Sequence, residues 1–97
     1  MILMIAGQNA KYYLIVFNSK NHAYYLESIL KKSGYNPKLI NVPKYLSKHC
    51  SLGLIIYDEN IVKFSIEKIE EKKLDIYKVY KYCFKNRKKI YEVIYKS

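Results

Sequence analysis

The chain has 97 residues and a formal net charge of +10 at pH 7, which leaves room for one small domain. Hydrophobic residues make up 51% of the chain, a fraction too high for a disordered protein. The longest apolar run, residues 1–6, is too short to span a membrane and lacks the basic segment that begins a signal peptide. We therefore expect one folded, cytoplasmic domain that uses no membrane.

The positive charge comes almost entirely from lysine. Arg87 is the only arginine among 18 basic residues, and the chain also contains 12 tyrosines. Lys, Ile, Tyr and Asn together make up about half of the residues, as expected of a chain encoded by an A+T-rich genome. One arginine supplies a single bidentate fork for phosphates or bases. Part of the charge therefore reflects composition, and arginine-based recognition of nucleic acid is not expected.

The two cysteines, Cys50 and Cys83, are too few and too far apart to form a disulfide framework. The sequence contains no CxxC pair, no zinc-type ligand spacing, and no P-loop, GxGxxG, GxSxG or HExxH motif. We therefore expect reduced thiols, no bound metal and no cofactor.

The predicted elements begin with an extension at residues 1–11. Residues 12–17 form an almost entirely apolar run that favours a buried strand. Ser19 is a natural N-cap for a helix that continues to Lys32. Gly34 stands where a left-handed residue would end that helix.

Three further strands are predicted at residues 38–42, 52–57 and 74–81. A second helix is predicted from its cap at Asp58 to about Lys72. The order β-α-β-β-α-β predicts an α+β, ferredoxin-like sandwich with a four-stranded antiparallel sheet and two helices on one face.

The pattern of the basic C-terminal extension permits two interpretations. A single helix over residues 76–96 fits the apolar spacing. The β-branched and tyrosine residues of 76–82 instead favour a strand that is followed by a short helix from about Lys85. We prefer the second interpretation. The expected organisation is an extension at 1–11, a ferredoxin-like domain at 12–82 and a basic amphipathic tail at 83–97.

The stretch from Lys11 to Lys81 resembles the selenium/sulfur (Se/S) carrier-like family of small bacterial domains. The likeness rests on residues 13–19 (YLIVFNS), His22-Ala23, Glu27, Val42-Pro43-Lys44 and residues 47–54 (SKHCSLGL). In that family a single cysteine precedes the third strand, and Cys50 matches it. The usual Cys-Gly and Pro-Arg pairs are here Cys50-Ser51 and Pro43-Lys44. The resemblance implies a carrier or binding protein, not an enzyme, with a cysteine desulfurase or a selenium-metabolism enzyme as its partner.

The predicted topology independently favours a reactive Cys50. The end of strand one, the start of strand three and the N-terminus of the first helix share one edge of the sheet, so Cys50 is expected near Ser19 and His22. A helix N-terminus presents free N–H groups and a positive dipole end. Such surroundings lower the pKa of a cysteine thiol from its free value of about 8.5. The residues expected to stabilise a Cys50 thiolate are Ser19, Lys44, Lys48 and His49.

Each of these assignments has a structural alternative. Cys50 is equally suited to be a small buried residue at the start of a strand. His22 is either a polar residue that opens the helix or a group that orients or deprotonates the thiol. Cys83, next to Phe84, fits a core or interface position.

Seven basic residues and one acidic residue lie between Lys78 and the C-terminus, interleaved with tyrosines. This pattern is typical of surfaces that bind single-stranded nucleic acid, but residues 52–57 lack the RNP1 motif of an RRM. The chain therefore has two alternatives to the carrier: a nucleic-acid-binding module, or an interaction domain that forms a homodimer through its open sheet face or an edge strand. The candidate docking residues for a partner or polyanion are Lys78, Lys81, Lys85, Arg87, Lys88 and Lys89.

Overall fold

The computed structural model describes residues 12–47 and 52–96. In chain order the described elements are β1 (Tyr12–Phe17), α1 (Lys20–Lys32), β2 (Lys38–Asn41), a 3₁₀ turn (Lys44–Leu46), β3 (Leu52–Ile56), α2 (Glu59–Lys72), β4 (Ile76–Lys85) and β5 (Lys88–Lys96). Within these ranges the strands form one antiparallel, five-stranded sheet in the order β2-β3-β1-β4-β5. The predicted α+β class is confirmed. The order of β1 to β4 is compatible with the ferredoxin-like fold, to which β5 adds a strand at the edge of β4.

The predicted C-terminal helix is wrong, because the chain turns back at residues 86 and 87 to form a β-hairpin. Asn86 and Arg87 have φ angles of 49° and 63°, and a type I′ hairpin turn needs positive φ at both central residues. Val79 packs in the core under the helices while Tyr80 packs on the opposite sheet face. Both faces of β4 therefore carry apolar side chains. Adjacent apolar residues of this kind also fit the apolar spacing of an amphipathic helix.

The main core lies between the sheet and the two helices. Alternate residues of β1 point into it, as the period of a strand requires. The buried members of this core from β1, α1 and α2 are Tyr13, Ile15, Phe17, Ala23, Leu26, Leu30, Val62 and Ile69. The hydroxyl of Ser65, also buried, donates a 2.7 Å hydrogen bond to the carbonyl of Ile61, so its polar atom is satisfied.

Helix α1 ends as its sequence predicts. Gly34 has a φ of 90°, the left-handed conformation that favours glycine. Its N–H donates to the carbonyl of Lys31 at 3.1 Å, and the N–H of Tyr35 donates to the carbonyl of Leu30 at 2.9 Å. These two bonds form a Schellman motif, which directs the chain out of the helix and into β2.

A second, smaller core lies on the sheet face opposite the helices. Leu14, Val16 and Ile55 form its floor, and Leu46 of the 3₁₀ turn packs onto them. A Cβ at Gly53 would lie 2.6 Å from Cγ2 of Val42 and 2.9 Å from the carbonyl oxygen of Ile15. Glycine therefore allows the segment after β2 to lie close against β3 on this face.

Candidate functional site

The N-terminus of α1 lies at the sheet edge where β1 ends and β3 begins. The antiparallel register pairs Val16 with Gly53, so the end of β1 and Leu52 at the start of β3 lie at the same edge. Ser19 takes the extended backbone of an N-cap, but its hydroxyl makes no capping hydrogen bond, and the first turn of α1 has no acidic residue. The positive end of α1 is therefore not compensated by its own side chains.

Helix α2 has the opposite arrangement. Oδ1 of its cap, Asp58, accepts a 2.7 Å hydrogen bond from the N–H of Asn60, and Glu59 adds a carboxylate to the first turn. A capped, acidic N-terminus is stabilised by its own residues. The two helices therefore differ at the N-terminus, which is the end where an anion would bind. Side chains of α2 cap and compensate its N-terminus, whereas those of α1 do not.

Asn18 fastens the end of β1 to the start of β4. Its N–H donates to the carbonyl of Asp75 at 3.1 Å. Its side-chain Nδ2 donates to Oδ1 of Asp75 at 2.9 Å and to the carbonyl of Ile76 at 3.1 Å. The buried Oδ1 of Asn18 has no hydrogen-bond partner among the described residues. Asn18 therefore holds the carboxylate of Asp75 in a fixed position just before β4.

His22 lies in the first turn of α1 and is held by the same segment. Its Nδ1 accepts a 2.7 Å hydrogen bond from the N–H of Asp75. A neutral imidazole with its Nδ1 lone pair in that bond carries its proton on Nε2. Nε2–H of His22 is then available to donate a hydrogen bond to a neighbouring group.

The structure thus brings together Ser19 and His22 of the predicted site, and adds Asn18 and Asp75. Sequence analysis did not assign a role to either residue; the only signal was the position of Asn18 directly after a buried strand. Lys44 is exposed at the start of the 3₁₀ turn, and no described hydrogen bond or ion pair links it to Ser19 or His22. Lys48, His49, Cys50 and Ser51 lie outside the described residues.

The basic residues of the C-terminal segment are distributed along the β4–β5 hairpin. The ammonium group of Lys78 lies 4.8 Å from the ring centroid of Tyr77. Lys81 pairs with Glu92 in the strand register, and Arg87 lies in the turn. Lys88 and Lys89 are exposed at the start of β5, and the backbone of Lys85 pairs with that of Lys88. Cys83 is a free thiol buried in β4.

Two features are absent from the described residues. The described residues contain no group of three or more His, Cys, Asp or Glu side chains arranged to hold a metal ion. Neither helix within the described ranges is long and apolar enough to cross a membrane.

The chain matches a known protein family. Residues 12–81 match the family described as "Putative Se/S carrier protein-like". The match covers β1 to the middle of β4, and β5 lies outside it. No curated protein and no solved structure matches the chain significantly.

Proposed function

Because the chain belongs to the Se/S carrier-like family, we propose that it carries sulfur or selenium on the thiol of Cys50, or assists the transfer of these elements. A partner enzyme in the cytoplasm, such as a cysteine desulfurase or an enzyme of selenium metabolism, supplies the chalcogen. The structural observation that supports this proposal best is the N-terminus of α1, which no described side chain caps.

The proposal assigns Cys50 to the sheet edge at which α1 begins. Cys50 precedes Leu52 by two residues, and two peptide units span at most about 7 Å. Leu52 is the first residue of β3, whose antiparallel pairing with β1 places it at that edge. A thiolate there would gain the free N–H groups and the dipole of α1.

The chemistry that this site has to support is thiol–persulfide exchange. The Cys50 thiolate attacks the outer sulfur of a donor persulfide, so that a new S–S bond forms on Cys50 and the S–S bond of the donor breaks. The donor leaves as a thiolate, the proton of the transferred SH group stays with it, and no external oxidant or reductant is needed. With selenium as the outer atom of the donor, the same exchange leaves a selenium atom on Cys50.

The surrounding residues have separate roles in this proposal. Ser19 is free to donate its hydroxyl to an anion because it makes no capping bond. His22 is a positioning residue: Asp75 fixes its ring, and Nε2–H points a donor away from that bond. Lys44, Lys48 and His49 add positive charge near Cys50 in the sequence, which favours the thiolate.

Mass spectrometry of peptides from the full chain tests the proposal. The full chain is incubated with a cysteine desulfurase and cysteine, then digested without reductant. We expect an added mass of about 32 Da on the peptide that contains Cys50, which corresponds to one persulfide sulfur. The variant Cys50→Ser is expected to lose this adduct, and Cys83→Ser is expected to keep it, because Cys83 is buried.

An unmodified Cys50 peptide under conditions that fully load a known sulfur acceptor would exclude persulfide acceptance. An adduct of equal size in Cys50→Ser would show that Cys83 carries the reactive thiol. A parallel measurement of the rate of Cys50 alkylation against pH separates a reactive thiolate from an inert thiol, because only the first titrates well below about 8.5.

A further inference from the structure

The sheet face opposite the helices carries a cluster of tyrosines that come from five separate parts of the chain. Tyr12 and Tyr82 are stacked with their centroids 4.6 Å apart and an interplanar angle of 12°. Tyr91 lies 5.0 Å from Tyr82. Tyr57 and Tyr45 meet this group edge to face, at 6.3 Å from Tyr12 and 6.4 Å from Tyr91. We call this cluster the tyrosine face: Tyr12, Tyr45, Tyr57, Tyr80, Tyr82 and Tyr91.

Some rings of the tyrosine face are held in place by hydrogen bonds, and others are exposed to solvent. The hydroxyls of Tyr12 and Tyr91 are hydrogen-bonded at 2.9 Å, and Tyr80 is buried with its hydroxyl donating to the carbonyl of Leu46 at 3.3 Å. Tyr45 and Tyr57, in contrast, are 75% and 65% exposed. Exposed aromatic rings beside a packed aromatic cluster are suited to stacking with planar ligands.

The described carboxylates are confined to one side of the sheet. The described acidic residues lie on the helices or their caps, at Asp75, or on the side of β5 that faces the helices: Glu27, Asp58, Glu59, Glu67, Glu70, Glu71, Asp75 and Glu92. Glu92 belongs to the helix side because it pairs with Lys81, which pairs with the core residue Tyr13. No described carboxylate therefore shares the sheet side of the tyrosine face, and Asp58, which directly follows Tyr57, caps α2.

Four lysines whose side chains the structure describes lie beside the tyrosine face or on its side of the sheet. Three of them share its side of the sheet by strand register, because Lys38 pairs with Ile55, Lys78 with Val16, and Lys89 with Phe84. The fourth, Lys44, precedes Tyr45 in the 3₁₀ turn. This side of the sheet thus offers ring faces and ammonium groups without opposing carboxylates, which is the combination that binds single-stranded nucleic acid.

We propose that the tyrosine face binds single-stranded nucleic acid, with bases stacked on Tyr45 and Tyr57 and phosphates contacted by the bordering lysines. Recognition is tolerant of sequence, because every base has a π-face and these residues include no arginine fork for reading base edges. A second copy of the chain is a less suitable occupant, because pairing two such faces would bring the lysines of both copies together. The proposal is independent of the reactivity of Cys50.

Fluorescence anisotropy with the full chain and a labelled twelve-nucleotide single strand tests the proposal. We expect saturable binding at about 50 mM salt that weakens as salt is raised, as counterion release requires. An abasic strand of the same length keeps the phosphates and removes the bases. It is expected to bind at least about fivefold more weakly, since stacking contributes about that factor or more for each base.

Matched variants separate the two faces of the molecule. Tyr45→Ala and Tyr57→Ala are each expected to weaken binding by about fivefold or more, whereas Tyr57→Phe keeps the ring and the affinity. The controls are Tyr24→Ala and Tyr25→Ala on α1, where the side chains are 50% and 44% exposed; these are expected to bind as the unchanged chain does. Lys44→Gln with Lys89→Gln is expected to reduce the salt slope by about 1.4, since each lost phosphate contact contributes about 0.7. Lys63→Gln removes a positive charge from α2, away from the tyrosine face, and is the control for the loss of charge.

Four outcomes would overturn the proposal: absence of binding at low salt; equal affinity for the abasic strand; equal weakening by the α1 tyrosine variants; and an unchanged affinity in Tyr45→Ala and Tyr57→Ala that are shown to be folded by circular dichroism. Light scattering measures the oligomeric state of the same variants. A dimer that dissociates in Tyr45→Ala or Tyr57→Ala, combined with no binding of the single strand, would assign the tyrosine face to a second copy of the chain.

Discussion

The imidazole Nδ1 of His22 accepts a 2.7 Å hydrogen bond from the backbone N–H of Asp75, although the two residues are far apart in the chain. This bond joins the first turn of α1 to the segment that leads into β4. Together with the three hydrogen bonds of Asn18 to Asp75 and Ile76, it determines how the N-terminus of α1 is oriented at the edge of the sheet.

Replacement of His22 tests whether this bond is structural. His22→Ala leaves the N–H of Asp75 without its protein partner and is expected to lower the free energy of unfolding by about 1 kcal/mol. His22→Asn places an acceptor oxygen close to the position of Nδ1 and is expected to restore most of that loss. Urea unfolding measures both variants. Equal destabilisation by Ala and Asn would show that the hydrogen bond contributes little.

Ser19→Asp is expected to change stability and thiol reactivity in opposite directions. An aspartate at the N-cap accepts a hydrogen bond from the first turn and stabilises the helix, by about 0.5–1 kcal/mol. The same carboxylate opposes a thiolate at the opening of α1, so the pKa of Cys50 is expected to rise and its alkylation rate at neutral pH to fall. Urea unfolding and alkylation against pH measure the two effects. A more stable variant with unchanged Cys50 reactivity would show that the N-terminus of α1 does not influence the Cys50 thiol.

Arg87→Gly is expected to stabilise the protein by about 0.5–1 kcal/mol. Arg87 has a φ of 63°, a conformation that costs a residue with a side chain roughly 1 kcal/mol and costs glycine nothing. Thermal or urea unfolding measures the change. A helix through this segment would respond in the opposite way, because glycine in a helix interior is destabilising. A loss of stability would therefore contradict the hairpin.

Gly53→Ala is expected to destabilise the protein by about 1–3 kcal/mol. The new Cβ would lie 2.6 Å from Cγ2 of Val42 and 2.9 Å from the backbone oxygen of Ile15, and the backbone of a central strand cannot move freely. The double variant with Val42→Ala removes the first clash and is expected to be less destabilised than the sum of the two single changes. Additive losses would show that the clash with Ile15 decides the effect.

Stability is expected to fall at alkaline pH, in part because of Tyr12. Burial, with a smaller effect of the hydrogen bond to Tyr91, raises the pKa of Tyr12 above its ordinary value of 10.0. The folded state therefore keeps the proton while the unfolded chain releases it, so this stability is complete below pH 10 and is lost as pH rises toward the folded-state pKa. Tyr12→Phe is expected to be less stable at pH 7, where it lacks the hydrogen bond, and to decline less steeply above pH 10. Parallel curves would contradict this role of Tyr12.

Several features could be predicted from local sequence because they depend on neighbouring residues. The apolar run at 12–17, the caps Ser19 and Asp58 and the left-handed Gly34 determine where β1, α1 and α2 begin and end. The C-terminal hairpin could not be read in the same way. Its turn has no glycine, and the two apolar faces of β4 produce a pattern that fits a helix as well as a strand.

The sequence by itself determined the net charge of +10, the excess of lysine over arginine and the 12 tyrosines, and local propensity determined most of the elements. Only the tertiary structure decided which of these residues act together. Asp75 meets Asn18 and His22, and Tyr82 meets Tyr12, because β4 pairs with β1. Tyr91 joins them because β5 pairs with β4. The physical reason is that hydrogen bonding between strands and burial of a sheet face join residues that are far apart in the chain. The same pairing brings several lysines to a sheet face that has no carboxylates among the described residues.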